Sequence, residues 1–136
     1  FDVYRCLIMS TLKVNNIQTT SGGSSSTPEQ IQQGRAKLWL NYNGSTNAIL
    51  DDFNVSTVGD EGTGSYTINI TSGAFANLNF ATVFGGVHTS GVALTFPVLR
   101  DPSQVTKNTS SFRIEIFNSG NVQVDTTTVS VACFGD

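Results

Sequence analysis

The stretch Arg35-Ala36-Lys37-Leu38-Trp39-Leu40-Asn41-Tyr42 decides the fold class of this chain. Apolar residues occupy its even positions, whereas the odd positions carry Arg35, Lys37, Trp39 and Asn41. Successive side chains of a β-strand point to opposite faces, so this period of two predicts a strand with one buried face. Trp39 falls on the other, polar face of that strand.

The same alternation recurs along the chain and predicts an all-β domain. Its apolar faces are predicted at Tyr66, Ile68 and Ile70; Val92, Leu94, Phe96 and Val98; Phe112, Ile114 and Ile116; and Val129, Val131 and Cys133. Shorter strands are predicted at 48–50, 53–58, 80–84 and 122–124, and glycine- and asparagine-rich turns lie between the strands. We therefore predict an antiparallel β-sandwich or jelly-roll-like domain of about eight strands. Hairpins are predicted to join 53–58 to 66–70 and 112–117 to 122–124.

The first part of the chain differs from the rest. Residues 19–27 read TTSGGSSST, a composition typical of a flexible linker, so we interpret residues 1–27 as an extended arm and linker. Thr27-Pro28-Glu29-Gln30 combines a capping hydroxyl, a proline and a glutamine three residues after the cap, and it predicts a short helix over 28–33 that Gly34 ends. The sandwich domain, including this helix, is predicted to span 28–136.

The composition excludes several classes of function. The chain has 136 residues, with 7 basic and 10 acidic groups, and only 12% are charged, against about 25% in typical domains. Seven scattered positive charges do not make a nucleic-acid-binding surface, so no nucleic-acid partner is expected. No run approaches the roughly 20 apolar residues of a membrane-spanning helix, so no membrane insertion is expected.

Catalytic and metal-binding patterns are absent from the sequence. His88 is the single histidine, and no GxSxG nucleophile motif accompanies it. The adjacent acids Asp51 and Asp52 would point to opposite faces of a strand, and Asp60-Glu61 is interpreted as part of a turn. Cys6 and Cys133 are expected to be free thiols. We expect no enzyme activity, no catalytic residue, no metal site and no cofactor.

Three aromatic residues stand out of phase with the apolar faces of their strands. They are Trp39, Phe117 and Phe134, and an exposed indole or phenyl ring calls for something to cover it. For Trp39 the sequence leaves three coverings open: the arm or helix of the same chain, a neighbouring subunit, or a sugar that stacks on the ring. Because several such aromatics are present, we predict a surface for a sister subunit or another partner at Trp39, Phe117 and Phe134.

Several segments carry a resemblance to a known family. One part of it begins with Met9-Ser10-Thr11-Leu12-Lys13-Val14-Asn15-Asn16-Ile17-Gln18 and continues through a Ser/Gly/Thr run to residues 34–44. This part resembles structural proteins of marine tailed phages, particularly cyanophages. Residues 52–56, and the turn and strand at 62–71, are similar to the same family. The closing strand at 129–135 matches more loosely, and 72–128 are not aligned.

The resemblance implies a virion component, assembled in the host cytoplasm, that acts as a fibre or spike. It implies a homotrimer that contacts other virion proteins through an N-terminal docking arm, for which Leu12, Val14 and Ile17 are the candidate residues. Contact with host surface glycans is a further expectation. Alternatives are a capsid decoration protein and, from another class, a free carbohydrate-binding module.

Overall fold

The structure, a computed structural model, describes residues 13–23, 25–85, 94–100 and 107–135. The chain divides into two compact units, Phe1–Gly34 and Arg35–Asp136. Cys6, Leu12, His88 and Val92, about which the sequence makes predictions, lie outside the described residues.

The described part of the first unit contains a small ribbon and one helix. Strands β1 (Ile17–Gln18) and β2 (Ser25–Ser26) pair antiparallel, and helix α1 spans Pro28–Gly34. The Thr27 backbone N–H donates to Gln30 Oε1 at 2.9 Å, while the Gln30 backbone N–H donates to Thr27 Oγ1 at 3.2 Å. These reciprocal bonds form a capping box, which confirms the helix start predicted from the sequence.

The second unit is an antiparallel β-sandwich, as predicted. Its described residues form eight strands: β3 (Leu38–Asn43), β4 (Ala48–Phe53), β5 (Val55–Asp60), β6 (Ser65–Ile70), β7 (Ala81–Gly85), β8 (Thr95–Leu99), β9 (Ser111–Asn118) and β10 (Val129–Phe134). The first sheet has the order β4-β3-β10-β7, and the second has the order β5-β6-β9-β8. All neighbouring strands are antiparallel.

The core lies between the inner faces of the two sheets. Each central strand contributes alternate residues to it, as the period of two requires. The first sheet supplies Leu38, Leu40, Tyr42, Val129, Val131 and Cys133, and the second supplies Tyr66, Ile68, Ile70, Phe112, Ile114 and Ile116, all buried. The apolar faces predicted at β3, β6, β9 and β10 are thereby confirmed.

A single residue carries the chain from the first sheet to the second. Strand β4 ends at Phe53 and β5 begins at Val55, so Asn54 alone makes the corner, with a φ of 60°. Asparagine adopts this left-handed conformation more readily than most residues. The Asn54 side-chain amide donates to the Lys37 carbonyl at 2.6 Å, and the Asn54 carbonyl accepts from the Thr71 N–H at 2.9 Å. These two bonds hold the corner in place.

The prediction for strand β8 was wrong about which face is buried. Phe96 and Val98 are exposed, as is Leu94 just before the strand, while Thr95 and Pro97 point into the core. The register explains the difference, because Pro97 pairs with Ile116, whose side chain is buried. Residues that are directly opposite share a face, so Phe96 and Val98 must face outward.

The two predicted hairpins differ in outcome. Strands β5 and β6 pair as expected, although Phe53 belongs to β4. Residues 122–124 form no strand, and one isolated bridge joins Phe117 to Gln123.

Candidate functional site

The outer face of the first sheet carries an apolar row that crosses all four strands. Phe53 pairs with Trp39, Trp39 with Ala132, and Ala132 with Val83. Directly paired residues point to the same side of a sheet, so these four side chains form one line. Phe53 is 43% exposed, Trp39 36% and Val83 56%, and Ala132 is half-buried. We call this line the aromatic row.

The aromatic row lies next to a polar row. Asp51 pairs with Asn41, Asn41 with Ser130, and Ser130 with Gly85. The Asn41 Oδ1 atom is buried and has no hydrogen-bond partner among the described residues. The face therefore combines a flat apolar line with amide, carboxylate and hydroxyl groups.

The outer face of the second sheet carries a separate apolar patch. Phe96 pairs with Phe117, and Val98, two residues along β8, pairs with Glu115. Phe96 is 45% exposed, Val98 is 39% exposed and Phe117 is half-buried. We call Phe96, Val98 and Phe117 the second-sheet patch.

Polar contacts surround the second-sheet patch. Arg100 Nη1 donates to Glu115 Oε1 at 2.5 Å, and both side chains are partly buried. Arg113 Nε donates to Ser65 Oγ at 3.0 Å, and its Nη1 lies 3.8 Å from Glu61 Oε2. Both cations therefore contact a carboxylate or hydroxyl group of the same subunit.

The three aromatic residues predicted as a partner surface do not share one face. Trp39 and Phe134 lie on the outer face of the first sheet, where Phe134 pairs with Ala81, two residues before Val83 in β7. Phe117 lies on the outer face of the second sheet. All three point away from the core, as their phase predicted, and the partner role of each stays a prediction.

Three exposed residues of these faces were not recognised from the sequence. Phe53 and Val83 belong to short strands whose facing depends on register, and Phe96 was assigned to the core. Trp39 could be recognised because its strand alternates over many residues, so an aromatic residue on the polar face is visible in the sequence. Pairing with Trp39 is the signal that identifies Phe53 and Val83, and it is available only from the structure.

A hydrogen-bond network holds one end of the sandwich together. The Tyr66 hydroxyl donates to Asp125 Oδ1 at 2.6 Å and lies 3.1 Å from the Gly44 carbonyl, and the Gly64 N–H donates to the same carboxylate oxygen at 2.7 Å. Burial, followed by the hydrogen bond and charge of Asp125, raises the pKa of Tyr66 far above its usual value. The network connects the turns at Gly44 and Gly64 to Asp125.

Tyr42 extends this network towards the β3–β4 turn. Its hydroxyl donates to Asn47 Oδ1 at 3.0 Å, and Asn47 Nδ2 donates to Asp60 Oδ2 at 2.7 Å. Burial, with smaller contributions from the charges of Asp60 and Asp125, raises the pKa of Tyr42. Asp60 also accepts from the Gly62 N–H at 2.9 Å, but it is the last residue of β5 and pairs with Tyr66, so the turn predicted to contain it begins after it.

The described residues offer little for covalent or metal chemistry. No group of three or more potential metal ligands occurs among them. Asp51 and Asp52 pair with Asn41 and Leu40, so their side chains point to opposite faces, as predicted. Cys133 is a free, buried cysteine, and burial raises its pKa to about 11, which keeps the thiol protonated at neutral pH. No helix in the described part of the chain is long and apolar enough to cross a membrane.

Comparison with known proteins gives one structural match. It is the phiAB6 tailspike, solved in complex with three-repeated oligosaccharides of Acinetobacter baumannii surface polysaccharide, with 18% identity and a TM-score of 0.42. The match covers 98% of this chain and 30% of the tailspike chain, so the chain spans less than a third of that protein's length. No protein-family model and no curated protein matches the chain.

Proposed function

We propose that this chain is a non-enzymatic structural protein of a phage virion, a fibre or spike component that forms a homotrimer through the aromatic row. The resemblance of residues 9–71 to virion proteins of marine tailed phages supports the virion assignment. The observation that carries the assembly is the aromatic row itself, because Phe53, Trp39 and Val83 are exposed in one line across the sheet.

Covering the aromatic row on assembly would gain free energy by removing apolar surface from water. Trp39 is 36% exposed, and a large aromatic side chain offers about 250 Å² at most. Covering this part of Trp39 would remove about 90 Å² from water, which is worth about 2 kcal/mol per contact at about 25 cal/mol per Å². A sister copy that covers Phe53 and Val83 as well would roughly double or triple this gain.

Residues 1–27 are proposed as the virion-docking arm. Val14 and Ile17 are exposed in this segment, so their side chains are available for contact with another virion protein. Strand addition by such an arm to a capsid protein would make the chain a decoration protein, the close variant of this proposal. Immunogold imaging of intact particles separates the two roles by showing label on the tail or on the head.

Solution mass tests the assembly. Sedimentation velocity over a range of concentrations is expected to give a trimer for the wild-type chain and a monomer for Trp39→Asp. The matched control is Leu78→Asp, since Leu78 is 51% exposed and belongs to neither apolar surface; it is expected to remain trimeric. A wild-type chain that stays monomeric, or a Trp39→Asp variant that stays trimeric, contradicts the proposal.

A carbohydrate-binding module is the second candidate function, and the polar row favours it. Trp39 and Phe53 are paired neighbours, and Asn41 and Asp51 in the next row could bond to sugar hydroxyls. Under this alternative the monomer binds a glycan and Trp39→Ala loses that binding, which a glycan array would reveal. A stable trimer without any glycan ligand excludes it.

A further inference from the structure

We propose that Asn43-Gly44 is a deamidation site that the fold keeps closed, and that it reacts when the hydrogen bond between the Gly44 N–H and the Thr126 carbonyl opens. Asn43-Gly44 is the single Asn-Gly pair of the sequence, and it lies where β3 ends and the turn to β4 begins. The inference concerns the chemical lifetime of the chain and does not depend on the proposed virion role.

The reaction at this pair needs only water. The Gly44 backbone nitrogen loses its proton to hydroxide and attacks Cγ of Asn43, which closes a succinimide ring. The bond from Cγ to Nδ2 breaks, and the leaving nitrogen takes up a proton and departs as ammonia. Water then opens the ring at either carbonyl and gives aspartate or isoaspartate. Glycine after the asparagine favours this reaction, because it has no side chain that hinders the attack and its backbone is the most flexible.

The Asn43 side-chain amide is already held as an electrophile. Its Oδ1 atom accepts from the Ser45 N–H at 3.0 Å and from the Thr46 N–H at 3.1 Å. Two N–H groups directed at one oxygen stabilise the negative charge that this oxygen takes up when the neighbouring carbon is attacked, as the donors of an oxyanion hole do. The turn therefore favours attack at the amide of Asn43.

The attacking nitrogen is the group that the fold withholds. Gly44 is buried, and its N–H donates to the Thr126 carbonyl at 2.8 Å. Thr126 is itself only 9% exposed. A buried N–H that is bonded to a carbonyl loses its proton to solvent only after that bond has opened. We call the bond from Gly44 to Thr126 the Gly44 clamp, and it protects Asn43 in the folded chain.

Tyr66 and Asp125 support the Gly44 clamp. The Tyr66 hydroxyl lies 3.1 Å from the Gly44 carbonyl and donates to Asp125 Oδ1 at 2.6 Å, and Asp125 directly precedes Thr126. A Cβ on residue 44 would lie 2.5 Å from the Tyr66 hydroxyl oxygen, so this packing requires a glycine. The contacts that place a glycine after Asn43, and so create a reactive pair, are the same contacts that protect it.

Reaction at Asn43 would damage the connection between β3 and β4. Isoaspartate carries the chain through its side-chain carbon, so it lengthens the backbone by one atom. Asn43 pairs with Ala48, and the added atom would shift this pairing and the position of Gly44 relative to Thr126. A chain that stays open long enough to form isoaspartate therefore cannot close the Gly44 clamp again.

Peptide mass spectrometry with isoaspartate detection on the full chain tests the proposal. In urea, the unfolded wild-type chain is expected to convert Asn43 to aspartate and isoaspartate. The folded chain is expected to react at least about a hundredfold more slowly, because a domain of ordinary stability is open in only a small fraction of molecules. Asn43→Asp, which keeps an acceptor for the Ser45 and Thr46 N–H groups, serves as the reference for the aspartate product.

Two variants test the Gly44 clamp itself. Tyr66→Phe removes the hydroxyl next to Gly44, and Asp125→Ala removes its acceptor. Each is expected to accelerate the reaction of the folded chain about tenfold, the change in an opening equilibrium that the loss of one hydrogen bond of ordinary strength brings. The matched control is Gly73→Ala in another turn, which lowers global stability without contact to the clamp, so it is expected to accelerate the reaction less than about threefold.

Circular dichroism at the assay temperature verifies that each variant is folded. An unfolded wild-type chain that does not react at Asn43, or a folded one that reacts as fast as the unfolded chain, overturns the proposal. So does a result in which both Tyr66→Phe and Asp125→Ala react no faster than Gly73→Ala, because protection would then come from the fold as a whole and not from the clamp.

Discussion

The hydrogen bond between Tyr66 and Asp125 is expected to be a main stabilising contact at one end of the sandwich. Tyr66 is fully buried, and its hydroxyl donates to Asp125 Oδ1 at 2.6 Å. Replacing Tyr66 by phenylalanine keeps the ring in the core and removes only this donor. The carboxylate then keeps the Gly64 N–H, and the Gly44 carbonyl loses its contact with the hydroxyl.

The expected cost follows from the charge of the acceptor. Hydrogen bonds to charged groups contribute about 1.5–3 kcal/mol, and because Asp125 itself is exposed we expect about 2 kcal/mol. Near its midpoint, a domain of about 100 residues loses roughly 4 °C or more of melting temperature for each kcal/mol. Tyr66→Phe should therefore melt about 8 °C or more below the wild-type chain, in calorimetry or circular dichroism at pH 7.

Tyr42→Phe is the matched control. The Tyr42 ring packs edge-on against Tyr66, with 5.2 Å between ring centres, but its hydroxyl donates to the neutral Asn47 side chain. A neutral hydrogen bond is worth about 0.5–1.5 kcal/mol, so this variant should lose less stability. In a double-mutant cycle, Asp125→Ala should cost about 1–2 kcal/mol less in the Tyr66→Phe background than in the wild-type chain.

Two results would refute this reasoning. One is a Tyr66→Phe variant that is as stable as Tyr42→Phe or more stable. The other is an additive cycle, in which the two substitutions at 66 and 125 do not interact.

Three further predictions concern other parts of the chain. Gly64→Ala should lower the free energy of unfolding, measured by urea titration, by more than about 3 kcal/mol, because the φ of Gly64 is +65° and a Cβ there would lie 2.8 Å from backbone atoms of Ile116 and Val124. The control Gly73→Ala, at φ +83° with open space around the Cβ, should cost only about 1–2 kcal/mol. Equal costs for the two variants would contradict this account. Because the pKa values of Tyr66 and Cys133 are raised in the folded chain, their contribution to stability should be fully present at neutral pH and fall once these groups ionise in the unfolded chain, above about pH 9–10. Tyr66→Phe should weaken this fall of melting temperature between pH 7 and 11. The same dependence of melting temperature on pH in the variant and the wild-type chain would argue against it. Thr27→Ala should remove one side of the capping box and cost helix α1 about 1 kcal/mol, seen as faster amide exchange at Gln30, with no change in the melting of the sandwich.

The sequence was sufficient to predict strands and their buried faces where the strands are long and regular. Leu38 to Tyr42, Tyr66 to Ile70 and Phe112 to Ile116 alternate over their whole length, so only one face can enter the core. The capping box at Thr27 was equally readable, because both of its partners lie within one turn. Local patterns of this kind need no knowledge of distant contacts.

The facing of strand β8 could not be predicted in the same way. Leu94, Phe96 and Val98 also alternate, yet the strand lies at a sheet edge, where pairing with β9 decides which side faces in. That pairing places Pro97 opposite the buried Ile116. Edge strands are less constrained by burial, so their apolar pattern predicts a strand but not its orientation.

The candidate site was predictable only in part. Trp39 stood out because its strand alternates clearly, but the aromatic row depends on the register between strands. Trp39 pairs with Phe53 across a pair of consecutive strands whose register shifts at Asn41/Tyr42, and Ala132 pairs with Val83, which is distant in sequence. The register of these pairs leaves no signal in the alternation of either strand. The separation of Phe117 from Trp39 and Phe134, on different sheets, likewise became visible only in the fold.

Fluorescence of the single tryptophan in the wild-type chain tests the central claim most directly. Trp39 is 36% exposed within one subunit, and the account predicts that sister copies cover it. At high concentration its emission should be shifted to the blue and protected from acrylamide, and dilution should shift it to the red as the sedimenting mass falls to that of one chain. Emission typical of an accessible indole, unchanged at every concentration, would contradict the claim.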